Sequence, residues 1–438
     1  MNAELGIVEK FQQETMRLGQ WYVVAICICI LALDGYDVMS IAFAAPGITA
    51  EWGISKATLG VILSLELVGM AVGSILLGGF ADSRGRRPTM LLGLFILTGG
   101  MIFAGLAPNI YVLGAARIFT GIGIGGLLAT VAATSSDFCN DKNRSLAVTL
   151  VAGGFAFGIY LGATFLAPLL KLYDWRVTFY LGAFLSFIFI PITYYFVPET
   201  ISYLERKRPK GALERIQKIM RDLGHPVPEE MPARTEQKND SVGISSLFKS
   251  GMMPITLILI FAYLANIGTY YYFVKWIPTI VTDLGYTASQ ATQVLGVISL
   301  GGVLGSIGMS IITRFVPIRS LVFICLICAA IGVGLFPKFM DSLESMKQIG
   351  FITGAFIFAA ISSFFGLFSA SFPSSLLGSG SGVVLGFGRG GAVLGPIIPG
   401  LLFTAGLALE SVALIMAAGS FVAGILILFL RNQKREIS

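Results

Sequence analysis

Residues 78–88 read Gly-Gly-Phe-Ala-Asp-Ser-Arg-Gly-Arg-Arg-Pro, a short and strongly basic segment that lies where two long apolar stretches meet. A helix needs about 20 consecutive apolar residues to cross the ~30 Å hydrocarbon layer of a bilayer. The stretches on either side, near 57–80 and 88–107, meet that length. A basic segment between two such stretches is typical of a cytoplasmic loop. The segment therefore indicates a chain that crosses a membrane more than once.

The composition of the whole chain agrees with this interpretation. Of the 438 residues, 55% are hydrophobic and 12% are charged, whereas about 25% are charged in an ordinary soluble protein. A soluble globular protein is excluded. Apolar blocks predict twelve spans, an all-α membrane protein, near 21–45, 57–80, 88–107, 110–135, 146–170, 177–197, 253–281, 290–313, 319–336, 349–370, 381–405 and 408–430.

The distribution of basic residues predicts the orientation of these spans. Most of the 30 Lys and Arg residues fall on the cytoplasmic side if both termini are cytoplasmic, as the positive-inside rule requires. The net charge of +6 then indicates that basic residues contact an anionic leaflet of the lipid bilayer, and no nucleic acid is expected as a partner. The polar N-terminus does not resemble a cleavable signal, so the first span is expected to target the chain to the cell inner membrane as a multi-pass protein.

An internal repeat divides the chain. Residues 198–250 are polar and basic and predict a cytoplasmic linker with a short amphipathic helix near 209–222. An offset of 232 or 233 residues aligns several positions of the first half with the second: Asp34 with Asn266, Pro46 with Pro278, Glu51 with Asp283, Gly69 and Gly73 with Gly301 and Gly305, and Gly158 and Gly162 with Gly391 and Gly395. We therefore predict two pseudo-symmetric six-helix bundles, residues 1–197 and 251–438, with a binding site between them.

Six charged residues lie in the interior of the predicted spans, away from the first and last turns: Asp34, Asp37, Glu66, Arg117, Lys275 and Arg389. Each costs at least ~2.5–3.5 kcal/mol at the centre of a bilayer, so a function is expected for them. Asp34 and Asp37 share a helix face, and two neighbouring carboxyl groups raise the pKa of one of them, which suits proton coupling. A permanent ion pair with Arg117 is the structural alternative. Glu66 is grouped with these acids as a candidate for proton coupling.

Arg389 lies in a glycine-rich segment, GVVLGFGRGGAVLGP, that leaves its guanidinium uncrowded. An arginine of this kind can hold a carboxylate through two parallel hydrogen bonds, which indicates an anionic substrate. The alternative is a resting-state partner for Glu66 or Asp34. Lys275 is either a second cationic contact or a side chain that reaches toward the interface.

Aromatic and polar residues near these charges complete the predicted substrate site. Tyr36 and Tyr270 fit a cavity that accepts a flat ring, although aromatic residues also form belts at membrane interfaces. Asn266, the equivalent of Asp34 in the second half, is included with them, and Arg117 is a candidate for contact with the carboxylate.

Other classes of function lack support in the sequence. No Gly-x-x-x-x-Gly-Lys-[Ser/Thr] loop for nucleotide phosphates occurs, so the energy must come from an ion gradient. No nucleophile, base and orienting acid occur at a recognisable spacing, so an enzyme is not expected. The five cysteines lack the histidines of a metal site, and neither a metal nor a cofactor is expected.

The basic segment 78–88 resembles the loop between helices 2 and 3 of the major facilitator superfamily. Residues 117–126 resemble the helix-4 motif of that family, and Pro198-Glu199-Thr200 resembles its motif after helix 6. The resemblance implies conformational gating by Gly78, Asp82, Arg84, Gly85, Arg86 and Arg87. Physically, Asp82 can hold the N-terminus of a neighbouring helix while the arginines hold acidic groups. A loop that only sets topology is the alternative.

Asp34-Gly35-Tyr36-Asp37 resembles a motif of the aromatic acid:proton symporters, relatives of the 4-hydroxybenzoate carriers. The resemblance implies proton coupling by Asp34 and Asp37 and uptake of an aromatic or related small acid by alternating access, with the chain acting as a monomer. The equivalent loop in the second half keeps Arg314 and Arg319 but lacks the Asp and Gly, which predicts asymmetric gating. The alternatives are a proton-coupled carrier of nicotinate, a sugar or a polyol, a drug:proton antiporter, and a transceptor.

Overall fold

The computed structural model describes residues 6–232, 247, 252–313, 315–373 and 376–430, and the regular structure in these residues is helical. Three predictions concern residues outside this part: most of the linker after residue 232, Arg314, and the basic C-terminal residues 431–438. The helices in the first half are α1 (Ile7–Gln13), α2 (Leu18–Trp52), α3 (Lys56–Arg84), α4 (Arg86–Gly105), α5 (Ile110–Asp137), α6 (Asp141–Leu169), α7 (Val177–Phe196), α8 (Ile201–Lys207) and α9 (Ala212–Asp222). The helices in the second half are α10 (Met253–Asp283), α11 (Ala288–Ile312), α12 (Ile318–Leu335), α13 (Leu343–Ser371), α14 (Leu377–Thr404) and α15 (Leu409–Leu428).

Within the described residues, twelve helices are long and apolar enough to cross a membrane. They are α2 to α7 and α10 to α15, which confirms the predicted number of spans. The predicted ends are less accurate, and α2 is the clearest case. It continues through Pro46 to Trp52, although a proline interrupts most helices. Its 35 residues correspond to a length of about 52 Å at 1.5 Å per residue.

The contacts within the chain define two compact units. The first comprises Met1–Val38, Val68–Gly158 and Phe179–Glu236, and the second comprises Met39–Leu67, Ile159–Thr178 and Gln237–Ser438. Helices α2, α3 and α6 therefore contribute long segments to both units.

In the first unit, glycines bring helix backbones into direct contact. A Cβ atom added to Gly158 of α6 would lie 1.7 Å from the carbonyl oxygen of Ala32 in α2. A Cβ atom added to Gly69 of α3 would lie 2.2 Å from the carbonyl oxygen of Ile118 in α5. Such positions accept no larger residue unless the helices move apart, because interiors are close-packed. The glycines thus allow two helix backbones to touch at both crossings.

In the second unit, the same crossings recur between equivalent residues. A Cβ atom added to Gly391 of α14 would lie 2.1 Å from the carbonyl oxygen of Leu264 in α10, and one added to Gly301 of α11 would lie 2.0 Å from that of Phe351 in α13. Each pair corresponds to a pair in the first unit at the offset of 232 or 233 residues found in the sequence. The repeat therefore extends from residue types to backbone contacts, as expected for duplication of a six-helix segment.

Short helices follow the sixth span. The predicted amphipathic helix corresponds to α9, Ala212–Asp222, which buries Ile216 and Met220. Helix α8 was not predicted. Its Glu205 accepts hydrogen bonds from the backbone N–H groups of Ile7 and Val8, so a side chain of the linker caps α1.

Candidate functional site

The six intramembrane charges differ in their exposure. Five of them, Asp34, Asp37, Glu66, Arg117 and Lys275, have side chains that are at most 1% exposed, whereas Arg389 is half-buried. A buried ion is strongly destabilising unless an opposite charge and hydrogen bonds compensate it. The partners of these side chains therefore indicate their roles.

Arg117 of α5 and Asp37 of α2 form a fully buried ion pair in the first unit. One guanidinium nitrogen lies 3.3 Å from the Asp37 carboxylate, and another donates to the backbone carbonyl of Asp37 at 3.0 Å. The guanidinium carbon also lies 5.5 Å from the centre of the Phe179 ring, within the range of a cation–π contact. The predicted alternative of an Asp37–Arg117 pair is therefore present in this conformation.

Asp34 and Tyr36 lie on either side of Gly35 in α2, and both are buried. The Tyr36 ring packs toward α7, where its Cε1 atom is 3.2 Å from the position of a Cβ atom on Gly182. This packing holds Tyr36 in place one residue before Asp37. Asp34 precedes Asp37 by three residues, so the two carboxyl groups lie on neighbouring parts of one helix face.

Glu66 of α3 and Lys275 of α10 form a second fully buried pair, in the second unit. The ammonium nitrogen lies 3.5 Å from Oε2 of Glu66, and neither side chain is exposed. The same two helices are joined a second time at their ends, where Lys56 lies 2.5 Å from Asp283 in an exposed pair. Lys275 therefore does not extend to the interface in this structure.

Tyr263, Asn266 and Tyr270 occur at spacings that place them on one face of α10. The Tyr270 ring contacts Phe358 of α13 edge-on, with centroids 5.0 Å apart, and the Tyr263 ring contacts Phe364 of the same helix at 5.1 Å. Aromatic rings thus form a wall between α10 and α13. The interfacial-belt alternative does not describe Tyr270, which is 3% exposed.

Two polar atoms on this face make no hydrogen bond to any described residue: Nδ2 of Asn266 and the hydroxyl of Tyr270. The amide oxygen of Asn266 is used, because it accepts a hydrogen bond from Ser420 of α15 at 2.9 Å. Asn266 therefore contributes to packing against α15 and also retains a buried donor. Buried donors of this kind usually have a partner.

Arg389 lies on α14 directly after Gly388, which packs against the Tyr263 ring. A Cβ atom at Gly388 would lie 2.2 Å from Cδ1 of that ring. The backbone of Arg389, the next residue, therefore lies beside this ring. The structure thus brings the predicted carboxylate anchor next to the aromatic wall.

The loop between α3 and α4 forms a network within the first unit. Gly85 has a φ of +106°, a conformation that favours glycine. A Cβ atom there would also lie 2.2 Å from Oε2 of Glu199. That carboxylate accepts a hydrogen bond from the backbone N–H of Arg86 at 3.0 Å, and burial raises the pKa of Glu199. The N-terminus of α4 is therefore held by Glu199.

The charged residues of this loop have different environments. Arg86 pairs with Asp137 at the end of α5, and Arg87 donates to the backbone carbonyl of Tyr194. The side chain of Asp82 is 80% exposed and lies 3.5 Å from Arg206. Gly78 has open space around it, and Arg84 is exposed. Within the part of the chain that the structure describes, Asp82 thus contacts Arg206, and the helix contact expected from the sequence is not seen.

Several partners in these networks are not evident from the sequence. Asp137 was not singled out, although an acid at the end of a span near a basic loop is a usable signal. Arg176 was not singled out either, and it donates two hydrogen bonds of 2.8 Å to the Glu51 carboxylate. This pairing raises the pKa of Arg176. The two residues connect the end of α2 with the loop before α7.

Twelve apolar spans among the described residues, with charges paired in their interior, are typical of a multi-pass membrane transporter. Residues 27–389 match the Major Facilitator Superfamily, and the chain belongs to this family.

Similar proteins include transporters of named aromatic acids. A gallate transporter of Pseudomonas putida is 25% identical over 433 residues, which cover 98% of this chain and 95% of that protein. The 4-hydroxybenzoate transporter PcaK of Pseudomonas aeruginosa is 27% identical over 420 residues, which cover 93% of this chain and 92% of that protein. The inward-open xylose transporter XylE from E. coli has a TM-score of 0.70 at 17% identity, over 95% of this chain and 98% of XylE. XylE establishes the fold alone.

Proposed function

We propose that this chain takes up an aromatic or similar small carboxylate together with one or more protons, across the cell inner membrane. The observation that carries the proposal is Arg389, which is half-buried while Arg117 and Lys275 are fully buried. It lies beside an aromatic wall in a membrane-spanning helix, so it offers a carboxylate both a charge and an apolar surface. The named substrates of two similar proteins, gallate and 4-hydroxybenzoate, are aromatic carboxylates.

The proposal assigns roles to the remaining polar groups. Arg389 binds the carboxylate, the wall that includes Tyr263 and Tyr270 contacts the ring, and the donors of Asn266 and Tyr270 bind a ring hydroxyl. Asp34, Asp37 and Glu66 are the candidates for proton coupling. Burial of these acids supports the assignment, because an ionised carboxyl at this depth exists only with a compensating charge.

The proposal also includes the arrangement in the membrane. Residues 1–197 and 251–438 form two six-helix bundles, and residues 198–250 form a cytoplasmic linker. Both termini are cytoplasmic, and the carrier works as a monomer by alternating access. The loop containing Gly78, Asp82, Arg84, Gly85, Arg86 and Arg87 gates the cytoplasmic side. Its contacts with Glu199 and Asp137 support this role, since they must change if α4 moves.

The uptake of labelled acids tests the proposed function. Cells that express the chain would be given radiolabelled benzoate, 4-hydroxybenzoate, gallate or nicotinate, with xylose as a control, in the presence and absence of a protonophore. We expect the cells to accumulate an aromatic acid. The protonophore should abolish this accumulation, and cells without the chain should not show it. Uptake of xylose alone, or accumulation that the protonophore does not reduce, would contradict the proposal.

Replacement of Arg389 by alanine is expected to raise the half-saturating concentration of the acid by about 10-fold or more, because a charge-assisted pair of hydrogen bonds is lost. Arg389→Lys keeps the charge but not the paired geometry, so an intermediate value is expected. Initial uptake rates over a range of acid concentrations provide the measurement. An unchanged half-saturating concentration in Arg389→Ala would leave Arg389 with a structural role only.

Replacement of Tyr270 by phenylalanine is expected to have opposite effects on stability and binding. Without substrate the variant is more stable, because a buried hydroxyl that lacks a partner costs about 1–3 kcal/mol. The half-saturating concentration of 4-hydroxybenzoate rises roughly 2- to 10-fold, as expected for one lost hydrogen bond, whereas that of benzoate does not change. Thermal unfolding and uptake of the two acids provide the measurements. Equal effects on both acids would show that Tyr270 does not bind the ring hydroxyl.

A further inference from the structure

The buried pair of Glu66 and Lys275 has features of a proton site. Its two charges lie 3.5 Å apart with no exposure of either side chain. Removal of either charge takes from the other the buried counter-charge that lies 3.5 Å away, which is strongly unfavourable. A step that changes the charge of Glu66 therefore favours the binding of another anion near Lys275.

Helix α14 fixes the surroundings of this pair. Two residues before Glu66, Ser64 donates a hydrogen bond to the carbonyl of Val393 at 2.7 Å. One residue after Lys275, the Trp276 indole donates to the carbonyl of Pro396 at 3.0 Å. Both acceptors lie within one turn of α14, so α3 and α10 are held against the same part of this helix.

The other charged groups on these three helices are few. Arg389 is the charged residue of α14, and it lies one turn before Val393 on the same face. Lys56 and Asp283 pair with each other at the ends of α3 and α10. Helix α3 also carries Asp82 and Arg84 at its opposite end, and α10 carries four tyrosines, which are neutral at ordinary pH.

Helix α5 packs against α3 at Gly69. Its intramembrane charge is Arg117, which Asp37 already holds at 3.3 Å. Arg389 is more exposed than either Arg117 or Lys275. Of these three intramembrane cations, Arg389 is thus the most exposed.

We infer that Glu66 is the proton-binding group of this carrier, and that Lys275 makes the protonation of Glu66 depend on a bound carboxylate. The inference rests on the proposed function. In the empty carrier the Glu66 carboxylate compensates the Lys275 ammonium. When Glu66 takes a proton, it becomes a neutral acid, and the negative charge of the bound substrate, whose carboxylate Arg389 holds, compensates the Lys275 ammonium in place of Glu66.

The charges balance in both states of this exchange. The empty pair has one positive and one negative charge, and the loaded site has the ammonium, the substrate carboxylate and a neutral Glu66. On the cytoplasmic side the carboxylate leaves, Glu66 releases its proton to water, and the ion pair forms again. States with a proton but no anion, or an anion but no proton, are disfavoured because a buried charge lacks compensation. The two ligands therefore load together.

Proton uptake during binding provides a direct test. Purified full-length protein in weakly buffered detergent solution with a pH indicator would be mixed with 4-hydroxybenzoate, and protons taken up would be compared with acid bound. We expect about one proton per bound acid for the unchanged chain and almost none for Glu66→Gln, since linkage between two ligands is reciprocal. Proton uptake that persists in Glu66→Gln would overturn the inference.

Transport assays distinguish a coupling defect from misfolding. In proteoliposomes, Glu66→Gln is expected to lose at least 10-fold in pH-driven accumulation, yet to retain exchange of internal for external 4-hydroxybenzoate, because exchange needs no proton release. The double variant Glu66→Gln/Lys275→Gln removes both charges, so it should fold, keep no coupling and bind the acid more weakly. Normal pH-driven accumulation in either variant would contradict the assignment.

A matched control is available on the same helices. Lys56→Gln removes the exposed pair between α3 and α10, and it should leave proton uptake and accumulation unchanged. An equal loss of proton uptake and accumulation in Lys56→Gln and Glu66→Gln would overturn the inference. It would show that any weakening of the contact between α3 and α10 abolishes coupling. If the unchanged chain accumulates no aromatic acid, the proposed function fails. If the unchanged chain and Glu66→Gln both accumulate the acid, the proposed function stands and only the inference fails.

Discussion

Replacement of Arg117 by leucine is expected to destabilise the protein by about 3–5 kcal/mol, because Asp37 is left as a buried charge without its partner. The Arg117 side chain is 0% exposed and that of Asp37 is 1% exposed, so water cannot replace the guanidinium. Arg117 also donates to the Asp37 backbone, and this hydrogen bond is lost as well. Thermal unfolding of the purified protein in detergent provides the measurement.

A double variant separates the structural role of this pair from proton coupling. Arg117→Leu with Asp37→Leu removes both charges, and apolar replacement of a buried pair is often neutral or stabilising. We expect stability to recover, and protonophore-sensitive accumulation stays absent only if Asp37 takes part in coupling beside Glu66. Recovery of accumulation would leave the pair with a structural role alone. A loss of less than about 1 kcal/mol in Arg117→Leu would show that the pair contributes little to stability.

Two glycines of α6 are expected to respond to alanine with opposite signs. At Gly158 the new Cβ atom would lie 1.7 Å from the backbone carbonyl oxygen of Ala32, and a backbone atom cannot move aside without moving α2. We expect a loss of about 3 kcal/mol, at the upper end of overpacking effects. A loss of transport should accompany it, since α2 contains Asp34 and Asp37.

Gly153, five residues earlier, is the matched control. A Cβ atom there meets no atom within 4 Å, so Gly153→Ala is expected to stabilise the helix by up to about 1 kcal/mol through helix propensity. Thermal unfolding of both variants and uptake by both tests the pair. Similar losses at the two positions would show that helix propensity or lipid contact, and not the crossing of α2 and α6, determines the effect.

The sequence predicts most of this fold because a bilayer imposes a strong requirement on every span. Each must contain an apolar run of sufficient length, and the twelve runs are visible as such in the sequence. The end of α2 is predicted less well, since Pro46 suggests an end that packing overrides. Helix α8 has only seven residues, too few for a clear hydrophobic period.

The candidate site is predictable in part. Charged residues are rare inside apolar runs of this length, so all six intramembrane charges can be recognised from the sequence alone. Their partners depend on which helices pack together, and residue spacing does not reveal that. Glu66 and Lys275 are more than 200 positions apart, as the contact of α3 with α10 requires. The same reason explains why Ser420 was not recognised as the partner of Asn266.

The two ion pairs between α3 and α10 have opposite polarity: Lys56 with Asp283, and Glu66 with Lys275. If α3 slid along α10, the next charged group of α10 that Lys56 could meet is Lys275, and the next that Glu66 could meet is Asp283. Both encounters join like charges, which repel. The two helices therefore have a single register, so their contact can open by tilting but not by sliding from one set of partners to another.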